Sequence, residues 1–326
     1  LGINLLRIGE EAAGLTALRA AWDRDRFNVR VFNLLELWDR TILPSYERVD
    51  AGPFAFRLHR EERPVMGPTL TATLVPAWED MRRRYGFTPQ APVPLEMFSD
   101  PQHFSVRTSG LPNIGVQGVC FGQVVTALSP RAGPFNWGQI TWHELAHVFH
   151  IQLSRNRVPR WFTEGLAEYE TMLARPEWRR HEDHRLYRAL VAGRLPPVAR
   201  LNHAFTHART ADAITVAYYA SSMLVKYIAE TYGFERIPRM LRAWGEDRSS
   251  EEVIQRVLGV SIDELDRAFR AHTRERLAAR ASDFAVDFAA YADLDAARAR
   301  AEAAPTDASA QAELAVALLA HGAEGG

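Results

Sequence analysis

The chain has 326 residues, of which 47% are hydrophobic and 24% charged, so it can form a substantial core and two or three structural units. Its formal net charge of −1 gives no global field that would attract nucleic acid, and we predict no nucleic-acid partner. The single cysteine, Cys120, excludes an internal disulfide and a thiolate zinc cluster. No apolar run reaches the roughly twenty residues of a membrane span, because the best stretch, 214–229, is interrupted by Ser221, Ser222 and Lys226.

The amino-terminal end of the chain has the periodicity of a helical hairpin. Leu15, Leu18 and Trp22 recur at helical spacing, and a second apolar run follows a break at 25–28. We therefore expect a helical hairpin over residues 1–45. Its helix–turn–helix spacing resembles part of a tetratricopeptide repeat.

The carboxyl-terminal end gives a similar pattern. A helix rich in alanine and arginine leads through Pro305 to a second helical run that contains Leu314 and Leu318. This pattern resembles the end of one tetratricopeptide repeat and the first helix of the next. Residues 285–326 are therefore predicted to be truncated tetratricopeptide-like helices, with a simple Ala-rich helical hairpin as the alternative.

Between these ends the pattern predicts a small sheet. Strands are predicted at 54–58 and 93–98, and the segment 118–128 predicts a third strand or a hairpin. Residues 69–85 have helical spacing. We assign residues 50–155 to an α/β subdomain.

The following region is predicted to be helical. Periodic apolar runs separated by prolines predict a helical subdomain over residues 156–276. The predicted helices are 184–192, 212–232, 234–245, 250–258 and 261–281. The expected fold class is α+β, mainly helical, in which a small mixed sheet and a helix over residues 143–147 precede the helical subdomain and helical hairpins lie at both ends.

The strongest functional signal is the sequence His-Glu-Leu-Ala-His at residues 143–147. Residues four apart lie on one face of an α-helix, roughly 6 Å apart, so His143 and His147 can direct imidazole nitrogens at one point. This order of residues is typical of the zinc helix of metalloproteases. A Zn²⁺ ion there needs a third protein ligand and a water, and Glu144 would lie beside that water as its proton acceptor.

The third ligand is expected to be a glutamate from a later helix. The segment 161–173 offers Glu164 and Glu168, which are four residues apart and can both face the metal helix. We expect Glu164 to be the ligand, because the neighbouring Gly165 permits a close helix approach. Glu168 is expected to accept the free N–H of a ligand histidine and so fix its tautomer. His150 lies about 10 Å along the axis from the first histidine, so we expect it to be packed rather than bound to metal.

The segments His143–His147 and Trp161–Tyr169 together resemble the gluzincin arrangement of thermolysin-like and aminopeptidase-type zinc enzymes, and most closely the peptidase MA-like domain. The resemblance covers roughly residues 54–276. It implies that Glu164, in the E-G-x-A element, is the metal ligand, and that an edge strand within 118–128 pairs with extended substrate. A strand that only packs against the metal helix is the alternative. The aminopeptidase motif G-A-M-E-N is missing, so the resemblance does not imply aminopeptidase activity.

A hydrolytic zinc site gains from a donor directed at the oxyanion. Tyr218 is our candidate, because the peptidase MA-like family has a similar aromatic segment after the metal glutamate. Tyr219 and His207 are weaker alternatives. His203 and His207 also have the spacing of two metal ligands, but they lack carboxylate support and are expected to be polar interdomain histidines.

These residues predict a zinc-dependent peptidase whose catalytic domain spans residues 50–276 and acts on a peptide or protein substrate. His143, His147 and Glu164 would bind Zn²⁺, and Glu144 would act as general base. The alternative is a repeat-type scaffold or interaction protein with a non-catalytic peptidase domain, although a structural zinc site normally has four protein ligands. Another zinc hydrolase on the same frame is a third option. The flanking helices would recruit a protein partner.

Overall fold

The computed structural model describes residues 1–281, 284, 291 and 293–323. Within these residues the chain is mostly helical and contains one mixed sheet of five strands, as expected for the α+β class. No helix in the described part of the chain is both long enough and apolar enough to cross a bilayer.

Helices occupy the amino-terminal part of the chain, and the sheet follows them. The amino-terminal elements are α1 (Gly2–Arg7), α2 (Glu11–Arg24), α3 (Val29–Leu37), a π-helical turn (Trp38–Ile42) and α4 (Leu43–Ser45). The sheet region consists of β1 (Tyr46–Ala51), β2 (Phe54–His59), α5 (Arg63–Tyr85), β3 (Val93–Phe98), α6 (Pro101–Ser109), β4 (Gly118–Cys120) and β5 (Val125–Leu128).

The remainder of the described chain is helical. The long helices are α7 (Trp137–Leu153), α8 (Arg160–Ala174), α11 (Ala211–Tyr232) and α14 (Ile262–Ala278). The shorter ones are α9 (Asp183–Val191), α10 (Leu201–Thr206), α12 (Arg236–Gly245), α13 (Ser250–Leu258), α15 (Leu294–Ala303) and α16 (Ala308–Ala323).

The sheet has the strand order β1-β2-β3-β5-β4. The outer pairs β1/β2 and β4/β5 are antiparallel, whereas β2/β3 and β3/β5 are parallel. The predicted strand or hairpin at 118–128 is a hairpin, and β4 lies at the edge of the sheet. The backbone groups on the outer side of β4 have no neighbouring strand in the described sheet.

Each face of the sheet is covered by helices. Phe54, Phe56 and Leu95 share one core with residues of α5 and α7, including Trp78 and Phe149. This core places α7 directly against the sheet. The position of α7 is therefore fixed by apolar packing on its sheet-facing side.

The opposite face of the sheet is covered by the amino-terminal helices. Leu6 and Trp38 form a second core with Phe98 of β3. Below them Arg107 and Glu96, both almost fully buried, form an ion pair of 2.6 Å. A buried charge is tolerated when it is paired, so this pair ties α6 to the sheet while the amino-terminal helices cover it.

Most predicted elements are confirmed, with four main differences, the first of which is that the short helix α10 was not predicted. The strand β1 was not predicted, because residues 46–51 alternate between exposed and half-buried positions and only Tyr46 is buried. The helix α5 begins at Arg63 rather than at 69 and continues through Pro68 and Pro76. The helix α6 was also not predicted, although its N-cap, an aspartate whose carboxylate accepts from two backbone N–H groups, has an ordinary capping signature.

The carboxyl-terminal helices form a pair. Residues 285–290, 292 and 324–326 of the predicted repeat-like segment lie outside the described residues. In the rest, α15 and α16 contact each other, and Gln311 Nε2 donates to the backbone oxygen of Ala301 at 3.0 Å. Their tetratricopeptide character stays a prediction.

The close helix approach expected at Gly165 is made by α11. A Cβ atom on Gly165 would lie 2.5 Å from the backbone oxygen of Ser221. Because the obstacle is backbone, it cannot be relieved by rotating a side chain. The contact between α8 and α11 therefore requires glycine at this position.

The substitution Gly165→Ala is expected to lower the free energy of unfolding by about 1–3 kcal/mol, the usual range for overpacking. The matched control is Gly138→Ala in α7, where the nearest atom to a new Cβ is a Trp178 ring carbon at 3.5 Å, an ordinary contact. Denaturant unfolding of both variants measures the difference. Equal stability of Gly165→Ala and the unsubstituted protein would contradict the packing argument.

Candidate metal centre

The helix α7 brings two imidazoles together. Its first turn is capped by Asn136, whose side chain accepts from the backbone N–H of Gln139 at 3.0 Å. His143 and His147 lie on one face of this helix, with their Nε2 atoms 3.1 Å apart. The helical spacing alone therefore produces the convergence that the sequence predicted.

The helix α8 adds a carboxylate to this pair. Glu164 Oε2 lies 3.5 Å from Nε2 of His143 and 3.5 Å from Nε2 of His147. Four ligands arranged tetrahedrally around zinc lie about 3.3–3.4 Å from one another, as follows from bond lengths of 2.0–2.1 Å. Two imidazoles and a carboxylate with these separations fit one face of such a tetrahedron.

Within the part of the chain that the structure describes, His143, His147 and Glu164 are the only group of three or more side chains with metal-ligating atoms so close together. Burial favours the neutral form of the Glu164 carboxyl, but its contacts with the imidazoles of His143 and His147 outweigh burial and hold its pKa well below the usual range. The carboxylate is therefore ionised, as a metal ligand has to be.

Glu144 lies beside this cluster and against the edge strand. Burial raises the pKa of Glu144 to about 7, and the charge of Glu164 adds to this rise, whereas His147 and a hydrogen bond from the Cys120 backbone oppose it. A Cβ atom on Gly118 would lie 2.8 Å from Cγ and from Oε1 of Glu144. The backbone of β4 and the Glu144 carboxyl are therefore in direct contact.

The predicted second carboxylate, Glu168, lies near the other nitrogen of the first histidine. Its Oε1 atom is 3.5 Å from Nδ1 of His143 and 3.0 Å from Nη2 of Arg180. Such outer carboxylates orient a ligand imidazole and raise its basicity. The position of Glu168 suits that role for His143.

The hydrogen-bond partner of His147 was not predicted from the sequence. Thr163 Oγ1 lies 2.8 Å from His147 Nδ1 and 3.3 Å from His150 Nδ1. His150 Nε2 in turn lies 3.0 Å from the hydroxyl of Tyr85. Thr163 directly precedes Glu164 in the sequence. This position next to the predicted ligand is the one signal that could have identified Thr163 as a partner.

Of the three candidates for an oxyanion donor, Tyr218 is the one that lines the cavity around the cluster. Its hydroxyl lies 3.5 Å from Arg160 Nη2, and burial together with the charge of Glu164 raises its pKa, so it keeps its proton. The Tyr219 hydroxyl donates instead to Asp183 at 2.8 Å. His207 lines a different cavity and stacks on a neighbouring histidine.

The cluster opens into a cavity of about 930 Å³. Its walls come from β4, α7, the first turns of α8 and the segment after α8 that contains Trp178 and Arg180. The cavity brings His143, Glu144, Glu164 and the edge strand to one space, with room for several residues of an extended chain.

Comparison with known proteins agrees with this arrangement. The model of the peptidase MA superfamily matches residues 77–275, which is more than half of the chain and contains every side chain of the cluster. No curated protein matches the sequence. This chain belongs to the peptidase MA superfamily.

Proposed function

We propose that this protein is a zinc-dependent peptidase with its catalytic unit in residues 50–276. The observation that carries the proposal is the convergence of two imidazoles and an ionised carboxylate, His143, His147 and Glu164, beside the buried carboxyl of Glu144. Membership of a peptidase superfamily supports it further. The three clustered residues would hold the metal.

When bound, zinc would polarise a peptide carbonyl and lower the pKa of a water molecule. Glu144 then accepts the proton of the attacking water and passes it to the leaving nitrogen as the C–N bond breaks. A general base works best with a pKa near the working pH. The burial that raises the pKa of Glu144 suits it for both transfers, since it can take up the proton and release it again.

The substrate is proposed to pair with β4. The outer edge of this strand borders the cavity and offers backbone groups to an extended peptide. Because β4 contacts Glu144 through Gly118, a peptide paired there lies next to the general base. Tyr218 would donate its hydroxyl proton in a hydrogen bond to the developing oxyanion.

The alternative of a non-catalytic scaffold has less support. A scaffold needs neither a buried carboxyl beside the metal ligands nor a cavity at the fourth coordination position, since structural zinc sites close with four protein ligands. The helices before and after the catalytic unit, residues 1–45 and 285–326, are proposed to bind a protein partner.

The variant Glu144→Gln is expected to reduce peptide hydrolysis by about 10²–10⁴-fold, the usual contribution of a general base. Zinc should remain bound in near-stoichiometric amount, because Glu144 is not among the clustered ligands. Cleavage of an unbiased peptide pool, followed by product mass spectrometry with and without chelator, measures activity. Glu251→Gln, on the exposed side of α13, is the control. Full activity of Glu144→Gln would refute the proposal, and zinc without turnover in the unsubstituted protein would favour the scaffold.

Metal content tests the ligand assignment separately. Glu164→Ala is expected to lose zinc on dialysis, because it removes one of three protein ligands. Glu168→Gln should retain zinc with an affinity lowered by about 10-fold or more, as is usual for outer partners of a ligand. Zinc per chain, measured by elemental analysis, distinguishes them. Undiminished zinc in Glu164→Ala would remove that residue from the ligand set.

The Tyr218→Phe substitution is expected to lower kcat by about 10²–10³-fold with little change in KM, as for loss of one oxyanion donor. The matched control is Tyr219→Phe, which breaks a hydrogen bond to Asp183 outside the cavity. It should alter stability rather than kcat. An unchanged kcat in Tyr218→Phe would exclude the tyrosine from the reaction.

A further inference from the structure

A continuous series of buried polar side chains runs behind His147. From the metal cluster inward, His147 Nδ1 lies 2.8 Å from Thr163 Oγ1, which lies 3.3 Å from His150 Nδ1. His150 Nε2 lies 3.0 Å from the Tyr85 hydroxyl. That hydroxyl is 2.7 Å from Glu170 Oε1, and Arg84 donates to both oxygens of Glu170 at 2.7 and 2.5 Å.

This series joins the carboxyl end of α5 to the carboxyl-terminal half of α7 and to α8. Tyr85, His150 and Glu170 are essentially inaccessible to solvent. The proposed mechanism uses none of these three groups. Because these three side chains are inaccessible to water, they have to donate to and accept from one another.

The direction of the hydrogen bonds can be assigned from the Glu170 end. Glu170 is ion-paired with Arg84 and is therefore an acceptor only. The Tyr85 hydroxyl must donate to it, and burial together with the charge of Glu170 raises the pKa of Tyr85 so that the proton stays on the phenol. Tyr85 has no second hydrogen, so its oxygen accepts from His150 Nε2–H.

The same logic continues to the metal cluster. His150 is fully buried, and none of the described carboxylates forms an ion pair with its ring, so a charged imidazolium there would be uncompensated. His150 is therefore neutral and carries one proton, on Nε2. Its Nδ1 lone pair accepts from the Thr163 hydroxyl. The Thr163 oxygen then accepts from His147 Nδ1–H, which leaves the lone pair of His147 on Nε2.

We propose that Thr163, His150, Tyr85 and Glu170 are positioning residues that fix His147 in its Nδ1–H tautomer and so direct its Nε2 lone pair at Glu164 and His143. The proposal deepens the proposed function and rests on it in one respect, since it takes Nε2 of His147 as the ligand atom. A neutral imidazole in the other tautomer carries its proton on Nε2 and has to lose it before it can bind a metal there.

The Nδ1 atoms of the two proposed ligand histidines thus have different partners. His143 has a carboxylate, Glu168, beside its Nδ1 atom. His147 has no carboxylate next to its Nδ1 among the described residues and instead reaches one, Glu170, through three intervening side chains. The relayed carboxylate sets the direction of every hydrogen bond between it and His147.

The tautomers of the metal-free protein test this assignment directly. Long-range ¹H–¹⁵N correlation spectra of protein labelled at histidine nitrogen report which ring nitrogen carries the proton. The measurement is made about two pH units above the ordinary imidazole pKa of about 6.5. We expect the proton on Nε2 of His150 and on Nδ1 of His147. A proton on Nδ1 of His150, or on Nε2 of His147, would overturn the proposal.

Variants separate a positioning role from a purely structural one. Thr163→Val removes the hydroxyl at nearly constant volume and should weaken zinc binding by about 10–100-fold, the usual effect of losing an outer partner. Thr163→Ser keeps the hydroxyl and should restore the affinity. Thr171→Val is the matched control, because Thr171 is a buried threonine of the same helix whose hydroxyl donates only to a backbone oxygen. It should change stability but not zinc affinity.

Tyr85→Phe tests the relay, that is, the hydrogen-bonded series from Glu170 through Tyr85, His150 and Thr163 to His147, at a position far from the metal cluster. Without the phenol oxygen, His150 Nε2–H has no acceptor, so its proton should move to Nδ1 and reverse the hydrogen bonds to Thr163 and His147. Zinc affinity, measured by competition with a chromophoric chelator, should therefore fall although two side chains separate Tyr85 from His147.

Two outcomes distinguish failure of this proposal from failure of the proposed function. Unchanged zinc affinity in both Thr163→Val and Tyr85→Phe would refute the relay and leave the peptidase assignment untouched. Unreduced activity of Glu144→Gln would refute the peptidase mechanism, while the predicted tautomers and zinc affinities would still support the relay.

Discussion

The structure depends on the approach of α8 to α7, which places one carboxylate within 3.5 Å of two imidazoles. Burying Glu164 opposes its charge, and the contacts with the two imidazoles keep it ionised. Packing on the far sides of the two helices makes this arrangement durable. The sheet packs against α7, and the absence of a side chain at Gly165 allows α11 to pack closely against α8.

The amino-terminal helices and α7 pack on the same sheet. Trp38 and Leu6 pack on one face, while the aromatic core that supports α7 packs on the other. The buried pair of Arg107 and Glu96 sits between these layers, and Arg107 also donates to the backbone oxygen of Leu6 at 3.2 Å. The amino-terminal helices and α7 are therefore packed on opposite faces of one sheet.

The sequence was sufficient for features that depend on local spacing. His143, Glu144 and His147 lie within one helical turn, and Glu164 stands in a short segment that resembles a known family, so their convergence could be predicted. The hydrogen-bonded series behind His147 could not, since Tyr85 and Glu170 are separated by 85 positions and neither belongs to a motif. The strand β1 was missed for a related reason: its pairing with β2 comes from tertiary context rather than from an apolar alternation of its own.

The contact between Gly118 and Glu144 limits how this protein can be redesigned. Any side chain at position 118 would occupy space now filled by Cγ and Oε1 of Glu144, and by a methyl group of Ile140. Substitutions in β4 must therefore spare this residue and use Val119 or the loop before the strand. The absence of a side chain at Gly118 leaves room for the Glu144 carboxyl in its present position.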